Sequence, residues 1–200
     1  MTRRYLWLRL VLAVALILPL VTHLTRPKAV WSAGIPDPRF GVVEAYTAPG
    51  AATALGAGWT RITFYWNQIQ RESAAEWNIL PVSDQALATE IAQGRQVVGL
   101  LVTTPGWATD LGRGAGVPQG LYLPPDDPNN HWANFVRTIV GRYAGRIDHW
   151  IIWNEPDIPA SSPDLSWGGS VHDYLQLLRV AYAVTKATNP AAVVHLAAFT

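Results

Sequence analysis

Cysteine is absent from the 200 residues, which excludes a disulfide framework, a thiol nucleophile and a thiolate metal site. An excess of charge of either sign is missing too. Fifteen basic residues face fourteen acidic ones, for a net charge of +1, and the basic residues are scattered apart from an N-terminal group, so no nucleic-acid footprint is present. No two histidines have ligand spacing and no His-Glu-x-x-His run occurs, which argues against a required metal. There is no Gly-x-Ser-x-Gly elbow for serine hydrolysis. A nucleotide-binding sheet would want a glycine-rich phosphate loop after its first strand, and Gly41-Val42-Val43-Glu44-Ala45-Tyr46 provides none. No cofactor is expected.

A long hydrophobic run is also lacking. Arg3, Arg4 and Arg9 introduce an apolar stretch from Leu10 to Val21, about 18 Å long as a helix, against roughly 30 Å of bilayer hydrocarbon. A basic head followed by a short apolar run is the order of a secretory signal. The residues after it hold no clean Ala-x-Ala, and Tyr5 to Leu24 with one snorkelling arginine is long enough to stay as an uncleaved anchor. Residues 1–29 are therefore expected to direct export, as a signal peptide or a signal anchor. The product would be secreted, or tethered at the outer face of the cytoplasmic membrane. Residues 30–39 read as a Pro-containing linker and residues 40–200 as one domain.

What is present is an alternation of strands and helices. Half of the residues are hydrophobic, enough to bury a core. Strands are predicted at 40–44, 59–66, 96–104, 147–153 and 192–197, from apolar and β-branched runs. Between them lie helical patterns at 49–58, 84–92, 131–143 and 171–187, and Trp132, Phe135, Val136, Ile139, Val140 and Tyr143 recur at intervals of three and four. Five strands joined by helical crossovers imply an α/β fold with a parallel sheet, or an incomplete (β/α) barrel. The segment 110–130, rich in Gly, Pro and Asp, reads as a long loop of the kind that forms a binding rim.

Polar residues recur at the predicted strand ends, the face where such folds place their chemistry. Trp153-Asn154-Glu155-Pro156 closes the fourth strand. Glu155, beside tryptophans at the end of an apolar strand, is the candidate proton donor and acceptor, because desolvation favours a protonated carboxyl. Asn154 is placed to hold a sugar hydroxyl. Read by itself, the segment is also an ordinary polar turn. Arg61, inside the second strand, would need an acidic partner; it steadies a catalytic carboxylate or forms a buried ion pair. Trp66, Trp107 and Trp153 are candidate platforms for sugar rings, though any one tryptophan equally suits the core. Glu44 ends the first strand, where it binds substrate or is simply solvated. His149 reads as structural.

Three segments, Gly58 to Gln70, Val102 to Ala108 and Ile152 to Asp157, resemble in order the second, third and fourth strands of retaining glycoside hydrolases built on an eight-stranded (β/α) barrel, the cellulase, β-xylosidase and β-galactosidase relatives. The likeness runs from about Phe40 to Thr200. It implies a TIM-barrel fold, carbohydrate with β-linked sugars as the partner, hydrolysis of O-glycosyl bonds by double displacement, Glu155 as acid/base and Asn154 on the sugar's 2-hydroxyl.

The resemblance also requires a second carboxylate, and no glutamate follows Glu155. A retaining enzyme holds its two carboxyl groups about 5 to 5.5 Å apart. A barrel takes about 250 residues, against about 160 after the N-terminal segment. The expectation is a partial barrel of five strand-helix units, truncated before its nucleophile and inactive alone. The competing functions are a non-catalytic carbohydrate-binding module and a self-associating half barrel.

Overall fold

The computed structural model describes residues 36–78, 84–111, 114–158, 162–164 and 166–200. The chain divides into two units, Met1–Ser32 and Ala33–Thr200, and all the elements below belong to the second. The expected export segment, residues 1–29, and most of the expected linker lie outside the described residues. Among the described residues, no helix is long and apolar enough to cross a membrane.

Five strands form one parallel sheet whose spatial order equals their chain order: β1 Asp37–Val43, β2 Ala57–Tyr65, β3 Gln96–Val102, β4 His149–Ile152 and β5 Val193–His195. Parallel neighbours need crossovers. These contain α1 Pro49–Ala54 and the one-turn α2 Trp66–Ile69, then α3 Asp84–Ala92, α4 His131–Tyr143 and α5 Val171–Thr188. The α/β class and the parallel sheet of five strands joined by helical crossovers are as the sequence predicts. The boundary at residue 39 is not, because β1 already starts at Asp37, paired with Ala57.

Strand periodicity divides the sheet into two faces. Ile62 and Phe64 of β2, Val97 and Leu101 of β3, and Trp150 and Ile152 of β4 turn toward the helices. There Phe64 meets Tyr143 of α4 and Trp150 at ring distances of 5.2 and 5.6 Å. The apolar stripe of α4 is wholly buried against this face. Trp150 fits because its partner in β3 is Gly99, where any Cβ would run into the indole. Asn130 starts α4 by accepting from the Ala133 N–H, and Ser170 and Asp173 close a reciprocal capping box on α5.

A buried ion pair fixes the entry to β3. Arg95 donates to both carboxylate oxygens of Glu90, at 2.6 and 3.1 Å, and a third bond reaches Thr53 at 2.9 Å. The two side chains are 1 % and 0 % exposed.

Residues alternating with the core set, Trp59, Arg61, Val98, His149, Ile151 and His195, occupy the opposite, concave face of the sheet. Most of them line a cavity of about 440 Å³.

Candidate active site

Among the described residues, four non-glycine ones have positive φ: Glu44 at 51°, Thr103 at 68°, Trp153 at 71° and Glu155 at 46°. All four follow the C-terminal ends of strands β1, β3 and β4 by one to three residues. Left-handed backbone at side-chain-bearing residues is costly and concentrates where geometry serves a function. The strain thus collects on one rim of the sheet, the rim that carries Asn154 and Glu155.

The predicted fourth strand ends one residue early, at Ile152, because Trp153 turns into the left-handed region. The Trp153 N–H still reaches the Leu101 carbonyl at 2.9 Å. The following backbone is held from two sides. Ser166 Oγ lies 2.7 Å from the Asn154 carbonyl and 2.6 Å from that of Glu155. The Glu155 N–H donates to the Ala198 carbonyl beyond β5, at 3.0 Å. Thr200 donates to the Asp157 carboxylate through its N–H and its hydroxyl. Tyr174 of α5 joins the end of β4 to the segment beyond β5, giving its hydroxyl proton to the Ile152 carbonyl and accepting from the Ala197 N–H. Asn154 and Glu155 are half-buried.

Arg61 projects from the middle of β2, paired with Val43 and Val98. Its Nε is buried and has no hydrogen-bond partner among the described residues. Glu44 is half-buried at the end of β1, one residue past the strand, and its N–H bonds to the Arg61 carbonyl at 2.9 Å.

The tryptophans divide. Trp107 is half-buried, with its indole N–H on the Gln70 carbonyl and its ring edge-on to His131. Trp66 and Trp153 are 0 % exposed. Trp66 is stacked on Phe135 at 5.0 Å and donates to Gln70, while Trp153 meets Trp167 edge-on at 4.9 Å and donates to the Ser166 carbonyl. Neither enclosed ring offers a face to a ligand, which corrects the expectation that both are platforms. Periodicity does not say on which side of a strand end the chain turns, and both rings turned inward.

Sequence reasoning missed Ser166 and Asp157 as supports of the Glu155 backbone. The only signal for them was their nearness to the motif. His149, expected to be structural, is in contact with His195: Nδ1 and Nε2 are 2.9 Å apart, and the rings are 17° from parallel. The ring centres lie 5.2 Å apart, the separation of two imidazoles meeting nitrogen to nitrogen in one plane, so one N–H···N bond crosses from β4 to β5. Burial, then the neighbouring His149, lowers the pKa of His195 below its ordinary value. Among the described residues, no group of three or more potential ligands is placed to hold a metal ion.

No family model matches the sequence, and no curated protein matches it. Solved structures do. A xylanase from Paenibacillus barcinonensis, complexed with a conduramine derivative, aligns over 78 % of this chain and 48 % of its own, with TM-score 0.51 and 19 % identity. GH5_18 from Streptomyces cattleya, in complex with GlcNAc, aligns over 82 % and 45 %, with TM-score 0.55 and 17 % identity. A β-glucosidase from Thermotoga maritima aligns over 76 % and 37 %, with TM-score 0.55 and 17 % identity. The chain thus spans less than half the length of these structures. Its parallel five-stranded sheet and surrounding helices have the fold of part of the TIM barrel on which these glycoside hydrolases are built.

Proposed function

We propose that this chain carries the proton-donating half of a retaining β-glycosidase site. The observation behind the proposal is Glu155, half-buried in left-handed backbone at the strained rim of a glycosidase-like sheet and fixed there from Ser166 and Ala198. In this reading Glu155 protonates the glycosidic oxygen as the bond to the sugar breaks, then takes a proton from water as the glycosyl ester is hydrolysed. Asn154, next to it, binds a ring hydroxyl. Trp107 and Glu44 contribute further contacts on the rim.

The second carboxylate comes from outside the residues of this chain that follow Glu155, which include no glutamate. Arg61 supports that arrangement. A guanidinium on the concave face with a buried, unpartnered N–H calls for a carboxylate across the barrel. The strand-helix units that supply it complete the sheet, and the substrate is a β-linked oligo- or polysaccharide. Export through residues 1–29 belongs to the same proposal, and fractionation of cells producing the chain tests it: recovery in the cytosol would refute export.

The site is tested in two steps. The chain should bind β-linked oligosaccharides, and Asn154→Ala should weaken binding about tenfold, the loss of one good hydrogen bond to a ligand. Joined to a polypeptide that completes the barrel, it should hydrolyse aryl β-glycosides. Glu155→Ala should then lower kcat/KM steeply for poor leaving groups while largely sparing it for activated ones, whose turnover becomes limited by hydrolysis of the glycosyl ester, and an equal loss of kcat/KM for both would rule out the acid/base role.

A further inference from the structure

A second carbohydrate contact stands apart from the Glu155 rim, at the start of α5. Tyr122, in the long loop between β3 and α4, is 56 % exposed, yet its position is fixed at both ends. Its hydroxyl donates to Asp173 Oδ1 at 2.6 Å, and its ring lies 16° from parallel with His172 at 6.1 Å. Asp173 is itself immobilised, since its Oδ2 accepts from the N–H and the hydroxyl of Ser170 in the capping box. The hydrogen bond to Asp173, then burial and the carboxylate's charge, raise the phenol pKa, so the donor is retained at neutral pH. Leu123 and Val171, the chain neighbours of Tyr122 and His172, are exposed as well.

An exposed aromatic ring usually loses rotamer freedom when something binds to it. This one has already lost it to Asp173 and His172, so binding to it costs less. A flat, partly apolar face fringed by a carboxylate and an imidazole matches a pyranose, which presents C–H groups on its face and hydroxyls around its edge. The platform is also tied to the proposed cleft. Trp153 packs on Trp167, the Trp167 indole N–H bonds to the Ser170 carbonyl, and Ser170 bonds to Asp173.

We infer that Tyr122, with His172 and Asp173, forms an outer sugar-binding platform that holds a β-linked oligosaccharide chain beyond the residues flanking the scissile bond. The choice of ligand rests on the glycosidase reading; the rigid exposed ring does not. The test is calorimetric titration of the 200-residue chain with cellobiose, cellohexaose and xylohexaose. Tyr122→Ala should weaken binding of a hexasaccharide about tenfold and leave cellobiose unaffected. Tyr122→Phe, which keeps the ring, should stay within about threefold of the parent. Asn154→Ala should weaken all the sugars that bind. If hexasaccharide affinity is the same in Tyr122→Ala while Asn154→Ala loses it, the platform is refuted and the cleft survives. If Tyr122→Ala loses it and Asn154→Ala does not, the platform is supported and the cleft is refuted. Absence of binding by the parent chain overturns both.

Discussion

The Glu155 N–H donates to the carbonyl oxygen of Ala198, 43 residues later in the chain, across 3.0 Å. The proposed acid is therefore held by the segment that follows β5, as well as by its own strand. That segment reaches the same loop again through Thr200 and Asp157, and through Tyr174. The residues after β5 act as a strap across the end of β4.

Loosening the ties on the Glu155 loop, from this strap and from Ser166, should be visible without any activity. Ser166→Ala removes the hydroxyl that serves the Asn154 and Glu155 carbonyls, and Asp157→Ala removes the acceptor of Thr200. Each should cost about 1 kcal/mol locally. Hydrogen exchange of the amides of Trp153, Asn154, Glu155, Asp157 and Ile158 should accelerate about fivefold, while exchange in α4 stays unchanged. An effect spread evenly over the whole sheet would contradict a local role.

The Glu90–Arg95 pair predicts a much larger loss. Glu90→Ala leaves a guanidinium buried without its carboxylate, and should lower stability by about 3 to 5 kcal/mol, measured by urea unfolding. Replacement of both residues by apolar ones of similar size should recover much of that loss.

Gly99→Ala should destabilise by roughly 1 to 3 kcal/mol, because the added methyl enters the volume of the Trp150 ring. The double variant Gly99→Ala with Trp150→Leu should be less destabilised than the sum of the two single changes.

The pH dependence follows from the histidine pair. His195 has a lowered pKa in the folded chain, so the unfolded chain binds the proton more readily. The contribution is fully present above the unfolded value near 6.5 and is lost as pH falls through the lower folded value. Stability should therefore decline on acidification below about pH 6.5, and His195→Gln should flatten the decline. An unchanged slope in that variant would place the titration elsewhere.

Much of the architecture was legible in the sequence. The apolar run of β3, the periodicity of α4 and the bounds 84–92 of α3 are all local signals, and each element forms where its own residues demand. The misjudged details depend on tertiary geometry. β1 begins at Asp37 because pairing with Ala57 extends it past the Pro-containing stretch. Trp153 leaves its strand by a change of backbone hand that no periodicity encodes. Trp66 and Trp153 serve the core because of the direction in which their loops turn. Ser166 and Asp157 hold the Glu155 backbone through contacts that no short motif reveals.

The left-handed residues on the rim have one more consequence. Each costs on the order of 1 to 3 kcal/mol relative to relaxed backbone, and glycine adopts that conformation without the steric penalty. Glu155→Gly should therefore melt no lower than the parent, and Glu44→Gly likewise. A laboratory selection for heat resistance would be drawn to positions 44 and 155 early, and its winners would be sturdier proteins stripped of the very acids that make the rim chemically interesting.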